Sequence, residues 1–179
     1  MITVITPVYN EENNLEELHS RIKEVFARIN EKYELLFVDN GSNDNSLELI
    51  KKIKKNDPNV KFISLTKNFG HQGGIWAGLY HAHGTCIIMD ADLQHPPESI
   101  EEIVLTWKKG FKVVNTQKKL DLDARLWKRY LSTFFYFIVN KLTNLKLTHG
   151  QSDFCLLDSQ VLEVIKKLPE RKTFLRGLV

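Results

Sequence analysis

Cysteine is scarce in this chain: two in 179 residues, Cys86 and Cys155, far apart and in no C-x-x-C pair. That excludes a disulfide-built scaffold and a thiol redox motif, and points to a reducing compartment. Long apolar runs are missing as well. The longest, Phe134-Phe135-Tyr136-Phe137-Ile138-Val139, is far short of the roughly 18 residues that a membrane-crossing helix needs. The amino terminus runs straight into a strand-like segment, so no secretory leader is expected. Glycine is absent where phosphate loops would place it. There is no G-x-x-x-x-G-K-[ST] and no G-x-G-x-x-G behind the first apolar segment, which leaves a P-loop and the usual dinucleotide site unsupported. Charge of one sign is not in excess either. A net charge of +3 is too small to argue for nucleic acid, and Lys51-Lys52-Ile53-Lys54-Lys55 reads as the solvated side of a helix. His81-x-His83 has no third ligand at finger spacing, so a surface or half-buried pair is the simpler reading.

What is present is an alternation of strand-like and helical patterns in a chain long enough for one domain with its own core. Ile2 to Val8 reads as a strand, followed by Leu15, Leu18, Ile22, Val25, Phe26 and Ile29 at helical spacing. Tyr33 to Val38 reads as a second strand, Ser46 to Ile53 as a second helix, and Val60 to Leu65 as a third strand near a sheet edge. Gly74 to His83 reads as a helix stopped by Gly84, and Cys86 to Met89 as a fourth, buried strand. Pro96-Pro97 opens a further helix with Ile100, Ile103, Val104 and Trp107 on one face and Gly110 past its end; Phe111 to Asn115 is a fifth strand. Such repetition predicts an α/β fold, a Rossmann-like, mostly parallel sheet with helices on both faces. Ligands of such sheets sit beyond the carboxyl ends of the strands, where strand order reverses. The polar segments Pro7 to Glu12, Asp39 to Asp44 and Asp90 to Gln94 are placed to meet there.

The last of these carries the most chemistry. Asp90-Ala91-Asp92-Leu93-Gln94 lies directly behind Cys86-Ile87-Ile88-Met89. Side chains at i and i+2 of an extended segment point the same way, so Asp90 and Asp92 would project together from a strand end. Two hard oxygen ligands, completed by water and substrate phosphates, suit Mg²⁺ or Mn²⁺. Nine aspartates would produce a chance D-x-D in roughly one chain of two, so context has to decide. Asp121-Leu122-Asp123 is a match without context: no apolar strand leads into it, and it reads as helix-start acid. Behind the first strand, Tyr9 could stack on a base or ribose and Glu11 could accept hydrogen bonds from a base. The same stretch also reads as a helix start, with Asn10 or Asn13 as the cap. After Gln117, Trp127, Leu131, Phe134, Phe135, Ile138 and Leu142 form an aromatic helical stripe bordered by Lys128, Arg129 and Lys141. It suits either a membrane interface or a helix packed on its own core.

Six blocks then occur in order: Thr6 to Glu12, Phe37 to Asp44, Asn68-Phe69-Gly70-His71-Gln72, Met89 to Glu98, Ser152 to Asp158, and Phe174 to Val179. Together they resemble family 2 glycosyltransferases of the GT-A fold, and within them the polyprenyl-phosphate glycosyltransferases of the dolichol-phosphate mannose synthase type. The resemblance covers nearly the whole chain. It implies that Pro7, Tyr9, Glu11, Asp39 and Asp90 hold a UDP- or GDP-linked sugar. Asp90, Asp92 and Gln94 would hold the metal on the diphosphate, and Asp92 and Asp153 would serve catalysis. Arg125, Lys128 and Arg176 would meet phosphate charge on the acceptor, with Arg129 beside them.

The resemblance further implies a polyprenyl phosphate acceptor and work at the cytoplasmic face of a membrane, and a single displacement at the anomeric carbon would invert it. Residues 1–117 would form the nucleotide-sugar part and 118–179 the acceptor and membrane-proximal part of a single catalytic domain, truncated before transmembrane helices. Nucleic acid is not an expected partner; a homo-oligomer is left open. Two departures stand out. Asp39-Asn40-Gly41-Ser42 replaces the family's Asp-Asp-Gly-Ser, and Gln117-Lys118-Lys119 stands where an arginine is usual. The rival readings are a glycan hydroxyl acceptor, a nucleotidyltransferase, which lacks its glycine- and lysine-rich loop here, and a sugar-nucleotide-binding module without activity.

Overall fold

The computed structural model describes residues 1–117 and 151–168. Six strands, β1 (Ile2–Val8), β2 (Tyr33–Asp39), β3 (Val60–Ser64), β4 (Thr85–Ile88), β5 (Val113–Gln117) and β6 (Gln151–Leu157), form one sheet in the order β3-β2-β1-β4-β6-β5. The β1–β2, β2–β3 and β1–β4 pairs are parallel, and β6 runs antiparallel to both its neighbours. The helices are α1 (Leu15–Ile29), α2 (Ser46–Asn56), α3 (Gly70–His81), α4 (Ser99–Lys108) and α5 (Ser159–Lys167).

Strand alternation sorts the core into two layers. Val4, Leu35, Phe37, Ile87, Phe154 and Leu156 face α1, α2 and α4; Ile5, Leu36, Val38, Ile88, Cys155 and Leu157 face α3 and α5. Strands covered on both sides read as continuous apolar runs, which is why the first four were legible. Neither cysteine is in a disulfide; both are buried in the second layer, where burial pushes the Cys86 thiol upward. The α3 layer sits close to the sheet because it presents glycine: a Cβ on Gly78 would lie 2.2 Å from Ile5 Cγ2.

Several boundaries differ from the sequence reading. α3 begins at Gly70, not Gly74, because side-chain amides of Asn40 and Asn68 hold the backbone at its start. β4 ends at Ile88, although Met89 stays buried and its N–H reaches Ile5 O. β5 starts at Val113, leaving Phe111 exposed, because its pairing with β6 begins there. The cap of α1 is Asn14; Asn10 instead adopts φ 57° and accepts from Asn43 N–H. β6 and α5 had no counterpart in the periodicity reading. β3 lies at a sheet edge, as its alternation implied.

The α2–β3 turn is held by Asp57, which is 3% exposed. Burial alone would raise its carboxyl pKa, but the Asn59 N–H, His19 Nε2 at 3.0 Å and the charge of Lys23 outweigh that and hold it below 3.8. A depressed carboxylate stabilises the fold above its unfolded pKa and loses that contribution as pH falls through its folded pKa. Asp57→Asn is therefore expected to cost about 1–3 kcal/mol at pH 7. The gap from the parent protein should narrow below about pH 4, which urea denaturation at pH 7 and pH 3 would measure.

Candidate active site

The chain leaves β1 toward β2 on one side and returns to β4 on the other, so strand order reverses between β1 and β4. An open cleft of about 290 Å³ lies at that point. Pro7, Val8, Tyr9 and Glu11 line it from the end of β1, and Asn40 from the end of β2. Asn68, Gly70 and His71 line it from the start of α3, and Asp90, Ala91 and Asp92 from the end of β4.

Five hydrogen bonds lace the first two loops together. Ser42 Oγ, Ser46 Oγ and Asp44 Oδ2 accept from the N–H groups of Asn10, Glu11 and Glu12. In return Asn10 Oδ1 and Glu12 Oε2 accept from the N–H groups of Asn43 and Asn45. Such lacing fixes the wall that carries Tyr9 before any ligand arrives. Tyr9 is 42% exposed and offers its ring to the cleft. Glu11 also lines it, with Oε2 accepting from Asn14 Nδ2 at 2.6 Å. Asp39 is 2% exposed and is not a lining residue; its carboxylate accepts from Ser42 N–H and Ser64 Oγ.

Asp90 and Asp92 both face the cleft, but a bend brings them there rather than strand alternation. Leu93 holds φ 58° and packs its side chain on the core, while Asp92 Oδ1 accepts the Gln94 N–H. Gln94 itself is exposed and does not line the cleft. Asp90 Oδ1 is buried and makes no hydrogen bond, with His71 Nε2 3.4 Å away. Burial pushes the Asp90 carboxyl above its ordinary range, and the charges of Asp92 and Asp153 add to this against the pull of His71 and His95. Concentrated, unsatisfied carboxylate oxygen is a donor set that a hard divalent cation fits. Among the described residues no group of three or more His, Cys, Asp or Glu could hold an ion by itself, so phosphate and water would supply the remaining ligands.

Asp153 arrives from the other end of the chain. The β4–β6 register pairs Ile88 with Cys155, so Asp153 on β6 lies alongside the segment that follows β4. Asp153 is 8% exposed, and its Oδ2 lies 3.3 Å from the same His71 Nε2. The sequence reading assigned no role to His71 or Asn40, although both sat in the family-like blocks. Arg125, Lys128 and Arg176, together with the Trp127–Leu142 stripe, lie outside the described residues.

The family model for glycosyl transferase family 2 matches residues 3–166. The chain belongs to that family. It is 40% identical over 178 residues to "Uncharacterized glycosyltransferase YkcC" of Bacillus subtilis, covering 99% of this chain and 55% of that protein. It is 34% identical to "Prophage bactoprenol glucosyl transferase homolog" of Escherichia coli, covering 99% of this chain and 58% of that one. The chain thus spans little more than half the length of these curated relatives. A similar solved fold is "Mannosyltransferase PcManGT from Pyrobaculum calidifontis in complex with GDP-Man and Mn2+", at TM-score 0.66 and 22% identity over 98% of this chain and 49% of that one. The family 2 domain thus has the GT-A architecture that its motifs implied: a mixed, mostly parallel sheet with a helical layer on each face.

Proposed function

We propose that this family 2 domain transfers a sugar from a nucleoside-diphosphate sugar to a polyprenyl phosphate, with a divalent cation on Asp90 and Asp92. The observation that carries this reading is the Asp90–Asp92 pair facing the switch-point cleft, one buried oxygen of it making no hydrogen bond. The relatives named for bactoprenol support the acceptor, and the Mn²⁺ in the mannosyltransferase complex supports the cation.

The wall of Tyr9 and Glu11 would take the nucleoside, with Asp39 shaping the loop behind it. A cation held by Asp90 and Asp92 supplies charge neutralisation for the leaving diphosphate, an effect of several kcal/mol. The acceptor oxygen bonds to the anomeric carbon while the bond from that carbon to the diphosphate oxygen breaks, and the electron pair leaves with the nucleoside diphosphate. A phosphate monoester has its second pKa near about 6 and is largely ionised at pH 7, so it needs positioning more than a base. One displacement of this kind inverts the anomeric centre; NMR of the product anomer checks that. A sugar hydroxyl acceptor would instead pass its proton to Asp153. With a lipid acceptor, the whole protein would work at the cytoplasmic surface of a membrane, with Arg125, Lys128 and Arg176 meeting phosphate charge.

The test is calorimetry with UDP-glucose and GDP-mannose, followed by transfer to a short-chain polyprenyl phosphate by the full-length protein. Stripping metal with EDTA should weaken donor binding about 100-fold, and Mn²⁺ or Mg²⁺ should restore it. Tight donor binding that EDTA leaves unchanged would overturn the reading.

A further inference from the structure

His71 lies between the two carboxylates Asp90 and Asp153. Its Nε2 lies 3.4 Å from Asp90 Oδ1 and 3.3 Å from Asp153 Oδ2. An N–H on this nitrogen can be donated to either carboxylate oxygen. Asp90 lies just past the end of β4 and Asp153 on its antiparallel neighbour β6, whereas the imidazole comes from the first turn of α3. Three segments distant in sequence therefore converge on one N–H.

The backbone that presents His71 is fixed by side-chain amides. Asn40 Nδ2 donates to Gly70 O at 2.9 Å and to Asn68 Oδ1 at 3.2 Å, while Asn40 Oδ1 accepts from Phe69 N–H at 3.0 Å. Asn68 Oδ1 also accepts from Gly70 N–H at 2.7 Å. An aspartate at position 40 could accept but not donate, so this latch requires the amide. The departure from the family's Asp-Asp-Gly-Ser thus has a structural use: both ends of the Asn40 side chain are spent on holding the two residues before His71.

We propose that His71 is a positioning residue that orients the Asp153 carboxylate toward the acceptor, and that Asn40 holds it in place. This rests on the reading of the cleft as a sugar-transfer site. With a cation held by Asp90 and Asp92, the His71 N–H would be left to Asp153. His71 then acts on the acceptor side of the reaction and not on donor affinity. Glutamine can place an N–H near the position of the imidazole Nε2; alanine cannot.

The experiment uses the full-length protein with Mn²⁺, the donor identified by calorimetry and a short-chain polyprenyl phosphate. His71→Ala should lower kcat/KM for the acceptor about 10- to 100-fold, while calorimetric donor affinity stays within about twofold. His71→Gln should recover at least half of that loss on a logarithmic scale. In an Asp153→Asn background, His71→Ala should cost less than about threefold, because the residue it orients is already changed. Asn40→Asp should reproduce the acceptor-side loss in weaker form. A parallel fall in donor affinity, full multiplication of the two single effects, or no rescue by glutamine would overturn the proposal. Failure of the unsubstituted protein to bind any sugar nucleotide with Mn²⁺ would overturn the transfer reading itself, and this proposal with it.

Discussion

Asp90→Asn protein is expected to lose turnover by about 10²- to 10³-fold while melting at the same temperature as the parent or higher. The activity side follows from charge. Replacing one of two carboxylates on a divalent cation forfeits several kcal/mol of stabilisation for the leaving diphosphate, and each 1.36 kcal/mol is about tenfold in rate. The stability side follows from burial. In the absence of metal, Asp90 Oδ1 is out of water without a hydrogen bond, and burial with the charges of Asp92 and Asp153 outweighs the pull of His71 and His95. A neutral amide removes that repulsion at nearly constant volume. The pair of measurements is steady-state transfer with saturating Mn²⁺ and a thermal melt in EDTA. Asp92→Ala should lose activity alike without the gain in melting temperature, because Asp92 Oδ1 already accepts the Gln94 N–H, whereas Asp90 Oδ1 is buried without a hydrogen bond. Unchanged turnover in both variants would remove these residues from the chemistry.

Gly41→Ala is expected to destabilise the protein by about 2–5 kcal/mol, adding a left-handed backbone penalty of about 1–2 kcal/mol to an overpacking cost of about 1–3 kcal/mol. Gly41 has φ +73°, and a Cβ there would lie 2.6 Å from Lys67 C, 2.8 Å from Lys67 Cα and 2.9 Å from Asn68 N. All three are backbone atoms, so no side chain can swing aside. Gly110→Ala is the control: φ is +104° but nothing lies within 4 Å, so only the conformational term applies and the loss should be markedly smaller. Urea denaturation of both variants reads the difference. The segment that Gly41 would displace runs into Asn68, so Gly41→Ala should also weaken acceptor use at temperatures where it remains folded.

Buried strands and amphipathic helices were legible because their residues meet one requirement along a continuous stretch. Ile2 to Val8 is buried at every position, and Leu15, Leu18, Ile22, Val25 and Phe26 form the buried face of α1. β6 was not legible in the same way. It opens on Gln151-Ser152-Asp153, and it pairs with β4, whose residues lie more than 60 positions earlier. The Asp90–Asp92 pair was visible from its apolar lead-in, yet the bend at Leu93 was not, since a leucine at positive φ carries no local signal. Asp39 shows how a motif names a place better than a contact: it stands at the end of β2 beside the site, but its oxygens serve Ser42 and Ser64. His71 gains its interest only where three distant segments close on one nitrogen, which no periodicity can encode.

The strand order also crosses the line drawn at residue 117. β6, from the later part of the chain, wedges between β4 and β5 and brings Asp153 with it. A polypeptide still emerging from the ribosome would therefore pair only four strands, leaving β5 without a neighbour and β4 with one raw flank. Its backbone groups there would stay unpaired until residue 157 cleared the exit tunnel. Shortened versions ending near 117 should be sticky for the same reason, drawing chaperones or one another to an unfilled seam.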